Sequence, residues 1–324
     1  MEDNNNEILA VKLNGNLIRY IDNPSEEVQL IAVKHKYEYA IKHIHNPSEA
    51  VQLESVKNNG DSIKYLDTPS EAVQLEAVKQ DCWSIRFIQN PSEDVQMEAV
   101  KTCCDVIEYI KNPSKAVQLE AVRADYDMIQ HIKNPSEESQ FEAFSHSWAI
   151  IMKVDTPSEK LQLESVKVSG SLINYIDNPS EAVKLEAVKN NGVSIQYIDN
   201  PSEAVKLEAV KNCGESIQYI DNPSEAVQLE AVKNNGESIQ YLDNPSEEVQ
   251  LEAVKKHACA IRHIYPQTEK LQLEAVKNNS YAISNIYNPS ITVLKYLYEK
   301  DKNMLYIELG SRKIENLFND FEKK

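Results

Sequence analysis

Seven histidines and five cysteines are the side chains of this 324-residue sequence best suited to hold a metal or to act as nucleophiles. Their spacing speaks against both roles. The cysteines, Cys82, Cys103, Cys104, Cys213 and Cys259, are odd in number and form no C-x-x-C pair, so neither a zinc site nor a disulfide framework is indicated. Cys82 and Cys104 share one slot in successive copies of an internal repeat. That placement predicts neighbouring thiols filling small gaps in a reduced compartment, not a metal site. His43 and His45 form an H-x-H pair, but residues two apart on a helix point in different directions. The sequence has no Gly-rich phosphate loop, no G-x-S-x-G and no H-E-x-x-H. No catalytic activity, cofactor or metal is expected.

A different chemistry is carried by Trp83, Arg86, Phe87, Tyr126, His131, His146, Trp148 and Lys153. Aromatic rings and arginine are the residue types that anchor protein interfaces. Both tryptophans fall between residues 80 and 155, together with Arg123, Phe141 and Phe144, whereas the regular stretch 178–243 contains no histidine at all. The 80–155 block is therefore the expected recognition zone for a protein partner. The competing explanation is that older, drifted copies flank recently duplicated ones.

What positions these residues is repetition. Residues 222–243 read NPSEAVQLEAVKNNGESIQYLD, and twelve complete copies run from Asn23 to Tyr287. The copies begin at Asn23, Asn46, Thr68, Asn90, Asn112, Asn134, Thr156, Asn178, Asn200, Asn222, Asn244 and Pro266, a spacing of 22 with one extra residue in the first. A partial copy occupies 1–22, and 288–324 loses the pattern. Strict repetition of this kind is architectural, because each copy buries its apolar face only against its neighbours.

The unit reads as two short helices. In N-P-S-E, Asn is placed to cap, Pro to occupy the first helical position and Glu to close a capping box. Helix A then runs about 11 residues through AVQLEAVK. The Gly of N-N-G is placed to end it in the left-handed region. ESIQYI makes a second helix of roughly two turns, stopped by the next Asn-Pro. The apolar positions of AVQLEAV spread around most of helix A, as suits a helix touching the second helix of its own copy and helix A on both sides. The expected fold is all-α, an α/α solenoid of ~12–13 short two-helix repeats.

Several columns follow from the period. Glu and Lys recur three apart (Glu54 and Lys57, Glu76 and Lys79), which predicts i,i+3 pairs on a solubilising surface. A tyrosine column (Tyr20, Tyr65, Tyr109, Tyr175, Tyr197, Tyr219, Tyr241) is expected to serve packing. In the final segment Ser311 can cap a helix whose Ile314, Leu317, Phe318 and Phe321 share one face. That segment is expected to cap the array, with homodimerisation through the same face as the rival role.

The formal net charge is −17. It argues against direct binding of nucleic acid or anionic membrane, which needs a basic footprint. No apolar run approaches the ~20 residues of a membrane span, and the N-terminus MEDNNNEILAV is unlike a secretory signal. A cytoplasmic protein is expected.

The recurring N-P-S-E-x-V-Q-L-x-A-V-K…I-x-Y-I resembles a family of short helical repeats known from bacterial, bacteriophage and giant-virus proteins. That family is looser kin to HEAT-like and leucine-rich-variant solenoids. The resemblance covers about residues 6–290. It implies an α-solenoid in a microbial or viral setting and brings no catalytic residues. Two roles then stand as expectations. One is a non-catalytic scaffold that binds a protein partner along an extended surface. The other is an acidic mimic of nucleic acid that inhibits a DNA- or RNA-binding protein, as in phage counter-defence against restriction or CRISPR systems.

Overall fold

The structure, a computed structural model, describes residues 2–35 and 39–300. Among them fourteen α-helices alternate with thirteen 3-10 helices, and no strand occurs. Each repeat supplies one α-helix, the A helix, and one 3-10 helix, the B helix. The chain divides into two compact bodies, one ending at Leu161 and one beginning at Gln162. Within each body, consecutive A helices pack side by side, consecutive B helices likewise, and an A helix also touches the B helix of the preceding repeat. The fold is an α-solenoid.

The A helix is ten residues long in most repeats, Glu71–Gln80 being typical. Its cap differs from the expected one. Ser70, not the residue two before it, is the N-cap: its Oγ accepts from the Val73 amide at 3.4 Å. Pro69 therefore precedes the helix, and Glu71 is its first residue. The hydroxyls of the capping serines donate to the first-turn glutamate of the preceding repeat, as in Ser48 to Glu26 at 2.5 Å and Ser114 to Glu93 at 2.8 Å. The serine thus completes its own helix and ties it to the one before, while the expected capping box is absent.

The asparagine of Asn-Pro does something else. Asn23, Asn46, Asn90, Asn178, Asn200, Asn222 and Asn244 hold φ between 46° and 53°. Proline disfavours the right-handed helical region in the residue before it, and Asn tolerates the left-handed one better than other side chains. Each of these residues lies three positions past the last residue of a B helix, as Asn90 does after Phe87. The glycines, by contrast, are not left-handed. Gly60 opens the B helix Gly60–Tyr65, and a Cβ on it would stand 2.6 Å from the carbonyl oxygen of Ala77 in the next repeat. Glycine is required there for close approach, not for a turn.

The second helix is a 3-10 helix of six residues, tighter than two α-turns. Its bonds run three residues apart, as in Leu66 N–H to the Ile63 carbonyl at 3.0 Å. A three-residue turn stacks positions i and i+3, so Gly192, Ile195 and Ile198 fall on one buried face. Asn191 caps this helix, its side chain accepting from the Val193 amide at 3.1 Å. The core of a typical repeat is Val73, Ala77 and Val78 from an A helix with Ile85 and Ile88 from the following B helix, all buried. Burying each Val or Ile contributes about 1.5–3 kcal/mol, and stacking is what buries them.

The expected i,i+3 surface pairs are few. Among the described residues only Lys167–Glu164 (2.7 Å) and Lys255–Glu252 (4.0 Å) are of that kind. The other ion pairs join neighbouring repeats, for example Lys270–Glu247 at 3.0 Å. Past the last full repeat, the helix Ile291–Lys300 buries Val293, Leu294 and Leu297. Ser311, Ile314, Leu317, Phe318 and Phe321 lie outside the described residues. No described helix is long and apolar enough to cross a membrane.

Candidate partner-binding surface

Most B helices turn their last two side chains outward, and these form the surface of interest. In Cys82–Phe87 the core face takes Cys82 and Ile85, leaving Arg86 and Phe87 exposed and Trp83 half-buried. Trp83 packs edge-on against Tyr109 of the next repeat, with centroids 5.8 Å apart. Arg86 lies over the Phe87 ring at 4.7 Å and reaches Asp61 of the preceding repeat at 3.4 Å. Lys64 sits among three rings, 4.3 Å from the centroid of Tyr39, 5.1 Å from Tyr65 and 5.6 Å from Phe87. Sequence reasoning did not single out Lys64. The signal was present as a cation one residue before the tyrosine slot, where Arg19, Lys42, Arg86 and Arg262 also stand while six other copies carry Gln, Glu or Asn.

The remaining predicted residues form a second group. Tyr126 stacks on His146 with centroids 5.8 Å apart and planes 9° from parallel. Lys153 pairs with Asp127 of the preceding repeat at 2.6 Å, and His131 lies 3.9 Å from Glu108. Trp148 is 52% exposed and makes no recorded ring contact. The eight residues are thus not one cluster. Arg86, His131 and Lys153 each turn back to an acid in the preceding repeat, whereas Phe87, Tyr126 and Trp148 remain partly exposed.

The tyrosine column does not serve packing alone. Tyr65, Tyr109, Tyr175, Tyr197, Tyr219 and Tyr241 are 38–51% exposed. Two residues beyond four of them stand Asp177, Asp199, Asp221 and Asp243, exposed and with no cation in ion-pair range among the described residues. Between successive repeats on this edge run open grooves. One of about 620 Å³ is lined by Arg86, Gln96, Tyr109 and Lys111, and its counterpart by Gln218, Gln228, Tyr241 and Asp243. The same edge is therefore cationic and aromatic in one stretch, and acidic and aromatic in another.

Burial, then Lys42 and Arg19, hold the His43 imidazole below the usual histidine range. Among the described residues no three His, Cys, Asp or Glu side chains converge as a metal-binding group. The cysteine register also differs from expectation. Cys82 meets Cys103 of the next repeat, its direct neighbour, more closely than it meets Cys104.

These features define an α-solenoid repeat protein with an aromatic edge. No family model, curated protein or solved structure matches the chain.

Proposed function

We propose that the protein is a non-catalytic scaffold that binds a protein partner along the B-helix edge, with the 80–155 block as the recognition zone. The observation that supports this best is two pairs of partly solvent-facing rings, each pair one repeat apart: Phe87 and Tyr109 at the ends of their B helices, and Tyr126 and Trp148 at the starts of theirs, all 36–52% exposed. Rings of this kind bury large apolar area at low entropic cost when a partner covers them. Arg86 and Lys153, held in place by acids of neighbouring repeats, would supply oriented donors at the rim. The reading includes a cytoplasmic location, which suits five free cysteines, and membership of the short-repeat class that the sequence resembles.

The test is a pull-down from the native host or an infecting phage lysate, comparing the intact protein with one whose 80–155 repeats are replaced by consensus copies. Loss of a partner on replacement, reproduced by a folded Phe87→Ala/Trp148→Ala double variant, supports the assignment. Undiminished capture by both variants overturns it.

A second reading has one observation in its favour. The unpaired row Asp177, Asp199, Asp221 and Asp243 presents carboxylates at regular spacing, as an inhibitor imitating nucleic acid would. The spacing of one carboxylate per repeat, ~8–10 Å if set by helix packing, is sparse beside a duplex with a charge every ~1.7 Å. Steep loss of partner affinity with added salt would favour this reading over the aromatic one.

A further inference from the structure

In three of the repeats a single register brings two positions 21 residues apart face to face. A Cβ placed on Gly60 stands 3.0 Å from the Cβ of Asp81. One on Gly192 stands 3.1 Å from that of Cys213, and one on Gly236 stands 3.1 Å from that of His257. The first position opens a B helix, and the second is the N-cap of the next B helix. Among the described residues cysteine fills both positions once, at Cys82 and Cys103. A real side chain at Cys82 requires a few tenths of an ångström of relaxation to ordinary contact. That brings the pair to the ~3.5–4.5 Å Cβ separation a disulfide needs. The two thiols are free and interact directly.

We infer that Cys82 and Cys103 are an oxidation site, a dithiol that closes to an intramolecular disulfide linking two consecutive repeats. The oxidant is a small disulfide such as oxidised glutathione. Cys103, the more exposed sulfur, attacks as its thiolate, forming a mixed disulfide and releasing one glutathione thiolate. Cys82 then loses its proton and attacks the Cys103 sulfur, expelling the second. Two cysteine thiols and one glutathione disulfide become one protein disulfide and two glutathione thiols. Burial, then Cys103 and Asp81, push the Cys82 thiol up to about 11, so the second step is the slow one.

The neighbours give the bond a consequence. Trp83 follows Cys82, and Tyr109 lies on the B helix that Cys103 caps, so the cross-link brackets the Trp83–Tyr109 ring pair. Oxidation would fix the spacing of two repeats inside the candidate recognition block. Cys104 occupies the slot equivalent to Cys82 one repeat later and faces Asp125, so it has no thiol opposite.

The experiment treats the reduced full-length protein with oxidised glutathione, blocks remaining thiols and maps tryptic peptides without reduction. The expected product joins peptide 80–86 to peptide 102–111 with loss of two hydrogens. It persists in Cys104→Ser and vanishes in Cys82→Ala and in Cys103→Ala. Because Cys104→Ser leaves both proposed partners in place, it separates Cys103 from its neighbour within the same peptide. A linkage that disappears in Cys104→Ser, or glutathione retained on Cys103 with no closure, overturns the assignment.

Discussion

Gly214 lies against the A helix of the following repeat so closely that a Cβ would stand 2.6 Å from the carbonyl oxygen of Ala231 and 3.0 Å from Ser238 Oγ. The nearest obstacle is backbone, which cannot swing aside as a side chain can. Gly214→Ala is therefore expected to destabilise by about 1–3 kcal/mol, the usual range for overpacking. Chemical denaturation of the purified variant checks this. A midpoint unchanged from the parent would mean the A helices slide freely, contrary to the close packing.

The serine on the far side of that contact gives the second expectation. Ser84, Ser194, Ser216 and Ser238 bury a hydroxyl with no hydrogen-bond partner. An unsatisfied buried hydroxyl costs of order 1–3 kcal/mol, so removing it without adding volume should help. Alanine at all four positions is expected to raise the denaturation midpoint, by about 1 kcal/mol per site at most. A lower midpoint would show that each hydroxyl has a partner in solution.

This contact also explains part of the sequence's irregularity. Where the slot is Gly60, Gly170, Gly192 or Gly214, the residue 24 positions on is serine (Ser84, Ser194, Ser216, Ser238), and where it is Gly236 that residue is Ala260. Where it is Cys82, Cys104 or Tyr126, the residue 24 on is Val106, Met128 or Ile150, all buried. Two packing solutions thus alternate along the chain. The departures from glycine that suggested a recognition zone are in part an apolar substitute for the glycine–serine contact. Trp148 follows the same rule, with buried Leu172 24 positions on, so Phe87, exposed in the tyrosine slot, is the ring this substitution leaves unexplained.

The repeat boundaries and the solenoid were legible because a 22-residue period survives drift in any single copy. The local details were not. N-P-S-E offers two capping side chains, and the four letters alone do not decide between them. A six-residue 3-10 helix is too short for its three-residue period, Gly-x-x-Ile-x-x-Ile, to be distinguished from two α-turns. The glycine looked like a left-handed terminator because the residue it must avoid belongs to the next copy. Exposure of the tyrosine column was hidden for the same reason: whether a neighbour covers a ring is a property of stacking, not of the unit.

The first asparagine of N-N-G carries a third expectation. Asn212 donates its amide to the Lys189 carbonyl at 2.8 Å and accepts from the Gly192 amide at 2.8 Å, both in the preceding repeat. Asn190 and Asn234 repeat the pattern. Asn212→Ala leaves a helix-terminal carbonyl and a glycine N–H unpaired, at a cost of about 1–3 kcal/mol. Hydrogen exchange locates the effect: the Gly192 amide should exchange faster while the Gly170 amide, held by Asn190, keeps its rate. Equal acceleration at both would point to global loosening instead of a local staple.

Acidification supplies the last expectation, with its sign set by His43. Burial, Lys42 and Arg19 all hold its folded-state pKa below the ordinary value of 6.5. The unfolded chain therefore takes up the proton first. At pH 8 the imidazole is neutral in both states and contributes nothing to the pH dependence. As pH falls through about 6.5 the unfolded state gains a proton the folded state resists, so this histidine's contribution turns destabilising. The loss stops growing once pH passes below the folded value. Replacing His43 by Gln, which cannot titrate, should flatten the stability profile between pH 7 and pH 5, and NMR titration of the parent should place His43 below the free-histidine midpoint. A midpoint at or above that value would mean an acidic group governs the site in solution, and the Gln variant would then leave the profile unchanged or steepen it.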